Sequence, residues 1–89
     1  MSGRYAVELE RPAKKELDRL DGKIRARVLR KLAALADDPR PPGATQLVGV
    51  NDLWRIRVGD YRVVYAIEDD QLVVIVVRVA GRGKVYRDI

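Results

Sequence analysis

The sequence predicts an α+β domain in which one strand and an antiparallel helical hairpin precede a three-stranded antiparallel meander. Two stretches before residue 38 space their apolar residues as helices do. Three later stretches are rich in β-branched and aromatic residues and are separated by two-residue turns. With 89 residues, the chain suits a single domain over 1–89 and is too short for two.

The first expected elements are a short strand and a helix. Residues 5–9 alternate apolar and polar side chains, as a half-buried strand does. Pro12 suits the first position of a helix, although Arg11 before it is a poor N-cap. The helix then places three apolar residues on one face: Ala13, Leu17 and Leu20.

A second helix is expected from Lys23 to about Ala36, with Asp21 as a good N-cap. Its apolar residues recur at helical spacing: Ile24, Val28, Leu32 and Leu35. The helix should stop at Asp38-Pro39, because the residue before a proline resists helical geometry. The basic residues on its other side have the ordinary interpretation of a solvated surface.

Residues 39–52 read as a loop, since they hold three of the chain's four prolines. The strands of the meander are expected at residues 53–58, 61–68 and 71–79, joined by turns at Gly59-Asp60 and Asp69-Asp70. We expect the first strand to join this sheet and the helical hairpin to pack across one face.

The turn at Gly59-Asp60 sets the two faces of the sheet, because side chains alternate along a strand. The expected core face holds Trp54, Ile56, Val58, Val63, Tyr65, Ile67, Leu72, Val74 and Val76. The other face pairs Arg57 with Arg62 and adds Arg55. Its expected apolar floor is Val73, Ile75, Val77 and Val79. Opposed like charges cost stability, so three converging arginines indicate an anion site. The structural alternative is that each arginine reaches water or an acidic neighbour.

The composition limits the chemistry. Eighteen Lys and Arg against 13 Asp and Glu give a net charge of +5, which favours a polyanionic partner, either nucleic acid or an acidic protein segment. The chain has no cysteine and no histidine, so disulfides, thiol nucleophiles, Cys-ligated metals and histidine acid–base catalysis are excluded. No signal-peptide-like or membrane-length apolar run is present, and the expected location is the cytoplasm.

Two stretches carry a resemblance to a known family. LWRIRVGDYRVVY at residues 53–65, RVAGRGKVYR at 78–87 and the order of elements resemble the RelE/ParE superfamily of toxins from toxin–antitoxin systems. The resemblance implies a RelE-like, ribosome-dependent endoribonuclease that cleaves mRNA in the A site without a metal or cofactor. One alternative is a ParE-like toxin that inhibits DNA gyrase without nuclease activity. Another is a silent homologue that only binds its antitoxin.

The resemblance also implies the site residues. The catalytic set would be Arg55, Arg57, Arg62, Arg82 and Tyr86, and the RNA-binding set Arg55, Arg57, Lys84 and Arg87. Arg62 and Arg82 would hold charge on the phosphate, while Arg55 and Arg57 would bind flanking phosphates. Arginine cannot act as a base. The base therefore stays open between Lys84, Tyr86 and a site that works by positioning and charge alone.

The implied partners are the ribosome, mRNA and a cognate RelB-like antitoxin that is acidic and partly disordered when alone. The toxin–antitoxin complex can be hetero-oligomeric and can bind operator DNA through the antitoxin. No membrane partner is implied.

Overall fold

The structure, a computed structural model, describes residues 4–49 and 52–81. Its elements in chain order are β1 (Ala6–Leu9), α1 (Arg11–Asp18), α2 (Gly22–Asp37), β2 (Thr45–Gln46), β3 (Leu53–Val58), β4 (Tyr61–Glu68) and β5 (Val73–Gly81). The five strands form one sheet in the order β1-β5-β4-β3-β2. Among the strands that the structure describes, β1 and β5 pair in parallel and the other neighbours pair antiparallel. The α+β prediction is confirmed. Within the described ranges, no helix is long and apolar enough to cross a membrane.

Helix α2 begins and ends within one residue of the expected positions, whereas α1 ends at Asp18, two residues before the expected Leu20. Helix α1 starts at Arg11 instead of Pro12, with Glu10 at the N-cap. Asp21 caps α2 as expected, but through its backbone: its carbonyl accepts the Arg25 N–H at 2.8 Å, and its side chain makes no capping bond. The position of the N-cap was therefore predictable from the sequence. The sequence did not show that the Asp21 backbone, and not its side chain, would accept a hydrogen bond from the first turn.

Two features of the strands differ from expectation. The short strand β2 was missed, because two residues in a proline-rich stretch carry no periodicity. The turn after β4 spans residues 69–72 rather than two residues, so β5 starts at Val73. Leu72 lies in that turn with a φ of 55° and is exposed, so its assignment to the core was wrong.

The core lies between the two helices and one face of the sheet. Its buried members come from every layer, and they are Ala13, Leu17, Leu20, Val28, Leu32, Leu35, Ile56, Val58, Val63, Tyr65, Val74, Val76 and Val79. The start of α2 packs against the β3–β4 turn. A Cβ at Gly59 would lie 3.4 Å from Nη1 of Arg27, and Gly59 has a φ of 60°, so glycine suits this turn on both grounds.

A β-bulge in β5 explains the remaining difference. Val64 pairs with Arg78, whereas the next residue, Tyr65, pairs with Val76, so Val77 is an extra residue on β5. Beyond the bulge the alternation of faces is reversed. Val79 therefore pairs with Val63 in the core, and its assignment to the arginine-bearing face was wrong.

Helix α1 covers the part of β5 that β1 does not reach. β1 pairs only with residues 73–76, and the chain enters α1 directly after the Glu10 N–H donates to the Val76 carbonyl. The Glu16 carboxylate then accepts the backbone N–H of Val79 at 2.7 Å. It also accepts two bonds from the Arg78 guanidinium, at 3.0 and 2.9 Å. The Glu16 carboxylate thus accepts hydrogen bonds both from a backbone N–H at the edge of β5 and from a partly buried arginine side chain.

We expect Glu16→Ala to lower the free energy of unfolding by about 2–3 kcal/mol, because hydrogen bonds to charged groups are among the stronger ones. Urea unfolding of the isolated protein measures this. Asp18→Ala is the matched control, since it removes an exposed carboxylate of α1 whose pairing with Lys14 should contribute no more than about 0.5 kcal/mol. Equal midpoints for the two variants would show that the Glu16 contacts add no stability.

A second set of contacts fixes the loop after α2. The Tyr65 hydroxyl donates to the Pro39 carbonyl at 2.7 Å. The Arg40 guanidinium donates twice to Asp69 and lies 5.4 Å from the centre of the Trp54 ring. Tyr5 also donates to Asp69. The Arg40 and Tyr5 hydrogen bonds lower the pKa of Asp69.

Burial raises the pKa of Tyr65 to about 12. Because the pKa in the folded state exceeds the ordinary value of 10.0, the unfolded chain loses this proton first. The contribution of the protonated Tyr65 hydroxyl to stability is fully present below pH 10 and is lost as the pH rises through about 12. We expect Tyr65→Phe to lower the free energy of unfolding by about 1 kcal/mol at pH 7. The variant should also lack the part of the decrease in stability above pH 10 that comes from ionisation of Tyr65. Urea unfolding between pH 7 and 12 tests it, and parallel pH profiles for the two proteins would contradict it.

Candidate nucleic-acid interface

The register between β3 and β4 brings the expected arginines together. Arg57 lies directly across from Arg62, as the two-residue turn predicts, and Arg55 lies across from Val64. Directly opposed residues in an antiparallel pair share a face, and so do residues two apart on a strand. The structure therefore places Arg55, Arg57 and Arg62 on one face of the sheet.

The pairing of β4 with β5 adds a fourth arginine to this arrangement. Val64 pairs with Arg78, and Arg62 pairs with Ala80. Two neighbouring rows thus cross three strands, Arg55–Val64–Arg78 and Arg57–Arg62–Ala80. We call the four residues Arg55, Arg57, Arg62 and Arg78 the arginine face. Sequence reasoning missed Arg78, although it is the one charge within the apolar stretch 73–81, because only the bulge aligns it with the others.

The floor beneath these arginines is apolar. Val64 and Ala80 are buried there as a small second core. Three partly buried residues pack against them: Leu47, Leu53 and Val77. Of the expected floor residues, Val77 joins this cluster, and Ile75 and Val73 lie on the same face farther along β5, opposite Ala66 and Glu68. Val64 and Ala80 were not anticipated. A dry floor lowers the local dielectric and strengthens the attraction between arginines and an anion.

The four arginines differ in exposure. Arg57 is exposed, whereas Arg55, Arg62 and Arg78 are each partly buried, and the Nε atom of Arg62 is inaccessible to solvent. Glu16 offsets the charge of Arg78 through the salt bridge described above. Arg57 and Arg62 are the two arginines that lie directly opposite each other on neighbouring strands.

The other expected site residues, Arg82, Lys84, Tyr86 and Arg87, lie outside the described residues, and their roles stay predictions. In residues 4–49 and 52–81, no group of three or more metal-ligating side chains comes together. Chemically, the arginine face offers planar, permanently charged donors that match phosphate. Arginine cannot remove a proton, so these four residues can bind and stabilise charge but cannot serve as a general base.

The chain is similar to known proteins both in sequence and in structure. A family model described as the ParE toxin of the type II toxin–antitoxin system parDE matches residues 7–86. The chain is 37% identical over 83 residues to an Escherichia coli protein named as RelE-like toxin, covering 91% of this chain and 86% of that protein. It is 31% identical over 82 residues to the mRNA interferase toxin RelE of Escherichia coli K12, covering 90% and 85%. The RelE–RelB complex of Pyrococcus horikoshii contains a chain of similar fold, with a TM-score of 0.80, 29% identity and coverage of 91% and 98%.

We expect Arg57→Gln to stabilise the isolated protein by roughly 0.2–1 kcal/mol, because it removes the repulsion with Arg62 across the strands. The gain should shrink as salt is added, since salt screens the repulsion. Thermal unfolding at low and high salt measures both effects. Arg30→Gln, at an exposed position of α2, is the control for removing one positive charge. A lower stability for Arg57→Gln than for the control would contradict the assignment of a repulsive pair.

Proposed function

Because the chain belongs to the ParE toxin family of type II toxin–antitoxin systems, within the RelE/ParE superfamily, we propose that it is a ribosome-dependent endoribonuclease that cleaves mRNA in the A site. The family description carries the ParE name, whereas the relatives described above carry the RelE name. These names leave two activities open, cleavage of mRNA and inhibition of DNA gyrase. The arginine face favours the first.

The observation that carries this proposal is the placement of Arg55, Arg57 and Arg62 on one face over an apolar floor. These positions match the basic cluster that RelE-like nucleases use and that ParE-like gyrase inhibitors lack. Guanidinium groups bind phosphate through paired hydrogen bonds. A preorganised set of them stabilises the transition state more than the substrate, because the phosphoryl oxygens carry more negative charge in the transition state. The repulsion between Arg57 and Arg62 is relieved when a phosphate lies between them.

In the proposed reaction the 2′-hydroxyl of the RNA attacks the adjacent phosphorus. The P–O5′ bond breaks, the 2′-hydroxyl proton is lost and the 5′-oxygen gains a proton. The products are a 5′-hydroxyl and a 2′,3′-cyclic phosphate. Arg62 stabilises the charge that builds on the phosphoryl oxygens, and Arg55 and Arg57 hold the flanking phosphates. The ribosome supplies the in-line geometry, which an unconstrained strand would reach only rarely. In this proposal the nucleophile belongs to the RNA, and the arginines supply the positive charge that a metal would otherwise provide.

Expression in bacteria followed by transcript mapping and analysis of plasmid topology separates the two activities. Cuts within translated codons with a 5′-hydroxyl on the downstream fragment support the nuclease. DNA breaks with intact mRNA would support gyrase inhibition instead. A 3′-hydroxyl on the upstream fragment would rule out attack by the 2′-hydroxyl.

We expect Arg62→Gln to reduce cleavage on programmed ribosomes by about 30- to 1,000-fold, since removal of one fixed donor at a developing charge costs about 2–4 kcal/mol. Single-turnover cleavage, normalised to folded protein, measures this loss. Arg30→Gln serves again as the charge-matched control and should retain activity. Cleavage by Arg62→Gln at the rate of this control would remove Arg62 from the catalytic set.

We also propose that a cognate antitoxin docks in the apolar groove between β1 and α2. Solved relatives include RelE in complex with RelB. The groove has a volume of about 490 Å³, and Leu29 at its side is 48% exposed. Its other apolar lining residues are Val7, Leu9, Leu32, Ala33 and Ala36. β1 is an edge strand, so its outer side can also accept a partner strand.

We expect Leu29→Asp to weaken antitoxin binding at least tenfold, because it puts a charge into the apolar contact without touching the core. Calorimetric titration with the antitoxin encoded beside the toxin measures this affinity. Val48→Asp is the control, because Val48 is 97% exposed and lies outside the groove. Equal affinities for the two variants would place the antitoxin on another surface.

A further inference from the structure

A second cavity, of about 280 Å³, lies at the edge of β3 and has no role in the function proposed so far. Ile56 and Arg57 both line it. These successive residues point to opposite faces of the sheet, so a cavity that both of them line must lie at the strand edge. α2 forms one side through Lys31 and Ala34, and the loop after α2 forms another through Pro41. We call this cavity the edge pocket.

The wall of the edge pocket is fixed by the contacts of the loop. The Pro39 carbonyl accepts the buried Tyr65 hydroxyl, and Arg40 is held by Asp69 and by the Trp54 ring. Within the loop, the Ala44 N–H donates to the Pro41 carbonyl at 3.0 Å. The first contacts hold the start of residues 39–44, the Ala44 bond closes a turn within the loop, and the pairing of β2 with β3 holds its end. The pocket is therefore largely preformed, which lowers the entropic cost of filling it.

The charge and surface of the pocket favour an anion that carries an apolar group. Among the described residues that line it, the charged ones are Lys31 and Arg57, and no carboxylate is present. The remaining lining is mostly apolar side chains. Arg57 belongs both to this pocket and to the arginine face, so a polyanion bound on that face passes the mouth of the pocket. Its volume of about 280 Å³, just below the ~300–1,000 Å³ typical of ligand sites, suits one ring system.

The backbone of Arg57 supplies a further polar edge. Leu53 directs its carbonyl away from β4, since that carbonyl accepts the Leu47 N–H from the β2 side. Backbone directions repeat every second residue, so the N–H and C=O of Arg57 point the same way. β2 pairs only with residues 54 and 55, and the edge beside Arg57 borders the pocket instead. A planar group in the pocket thus has one hydrogen-bond donor, the Arg57 N–H, and one acceptor, the Arg57 carbonyl, at the pocket's edge.

We infer that the edge pocket receives one unstacked nucleobase of the RNA whose backbone crosses the arginine face. This inference rests on the proposed RNA-cleaving function and adds to it a subsite for base selection. Single-stranded RNA is commonly recognised by bases that leave the stack and lie against a guanidinium plane, with their edges hydrogen-bonded. An added peptide strand fits less well, because only residues 56–58 of β3 lie beyond β2, whereas strands average about five or six residues.

The test uses the full-length toxin and ribosomes programmed with mRNA whose A-site codon carries 2′-O-methyl groups, so that binding is measured without cleavage. Each nucleotide in and next to the codon is replaced in turn by an abasic residue. Ala34→Leu fills the pocket without changing charge, and Ala34 is exposed, so the fold should tolerate it. Ala26→Leu, at an exposed α2 position outside the pocket, is the matched control.

We expect one abasic position to weaken binding of the wild type and of Ala26→Leu by about tenfold. Ala34→Leu should bind the intact codon about tenfold more weakly and should show no further loss at that position. The abasic series changes only the RNA, so its result does not depend on how the variant folds.

Wild-type binding that is indifferent to every abasic position would overturn the inference, even if unmethylated codons are cleaved. An undiminished abasic effect in Ala34→Leu would place the base elsewhere. If Ala34→Leu weakened only antitoxin binding, the pocket would belong to the protein partner and the inference would be wrong. Failure of the wild type to cleave an unmethylated codon would refute the proposed nuclease itself, which is a separate readout.

Discussion

The pairing of β4 with its two neighbours is the constraint on which both the core and the arginine face depend. The two-residue turn at Gly59-Asp60 fixes β4 against β3, so Arg57 must oppose Arg62 when Tyr65 opposes Trp54. A one-residue slip would move the whole apolar set of β4 to the other face. Burial of Val63 and Tyr65 therefore holds two like charges together. The hydrophobic core supplies the free energy that keeps the arginines in this arrangement.

The sequence contains enough information to predict the arginines of β3 and β4, but too little to predict that Arg78 of β5 joins them. The Gly-Asp turn and the strict alternation on both sides of it fix Arg55, Arg57 and Arg62. The bulge at Val77 could not be read from VVIVVRVAG, because every residue there except Arg78 suits either face of a buried strand. The end of the turn at 69–72 was hidden because Leu72 continues the apolar run that starts at Val73. β2 was missed because a two-residue strand depends on its partner, β3, and not on its own sequence.

Glu16 shows how the fold limits the charge that it collects. The bulge brings Arg78 into the same row as Arg55, which alone would add a fourth positive charge to this face. α1 meets this with one carboxylate, which also satisfies the Val79 N–H at the edge left uncovered by β1. Glu16 alone therefore both hydrogen-bonds the edge of β5 that β1 leaves uncovered and compensates the charge of Arg78. On the β5 side Arg78 thus shares its charge with Glu16, whereas on the β3 side Arg57 is exposed to solvent.

α2 separates the two cavities that the proposals assign to different partners. Leu29, Leu32 and Ala33 line the groove on the β1 side, whereas Lys31 and Ala34 line the edge pocket on the β3 side. Sheet order places β1 and β3 on opposite sides of β5 and β4, so an antitoxin segment confined to the groove leaves the edge pocket and the arginine face open. Such a segment would bind the toxin without competing with RNA. Neutralisation therefore requires either a second antitoxin contact at the arginines, where an acidic chain would relieve the Arg57–Arg62 repulsion, or enough bulk on the groove to keep the toxin out of the A site.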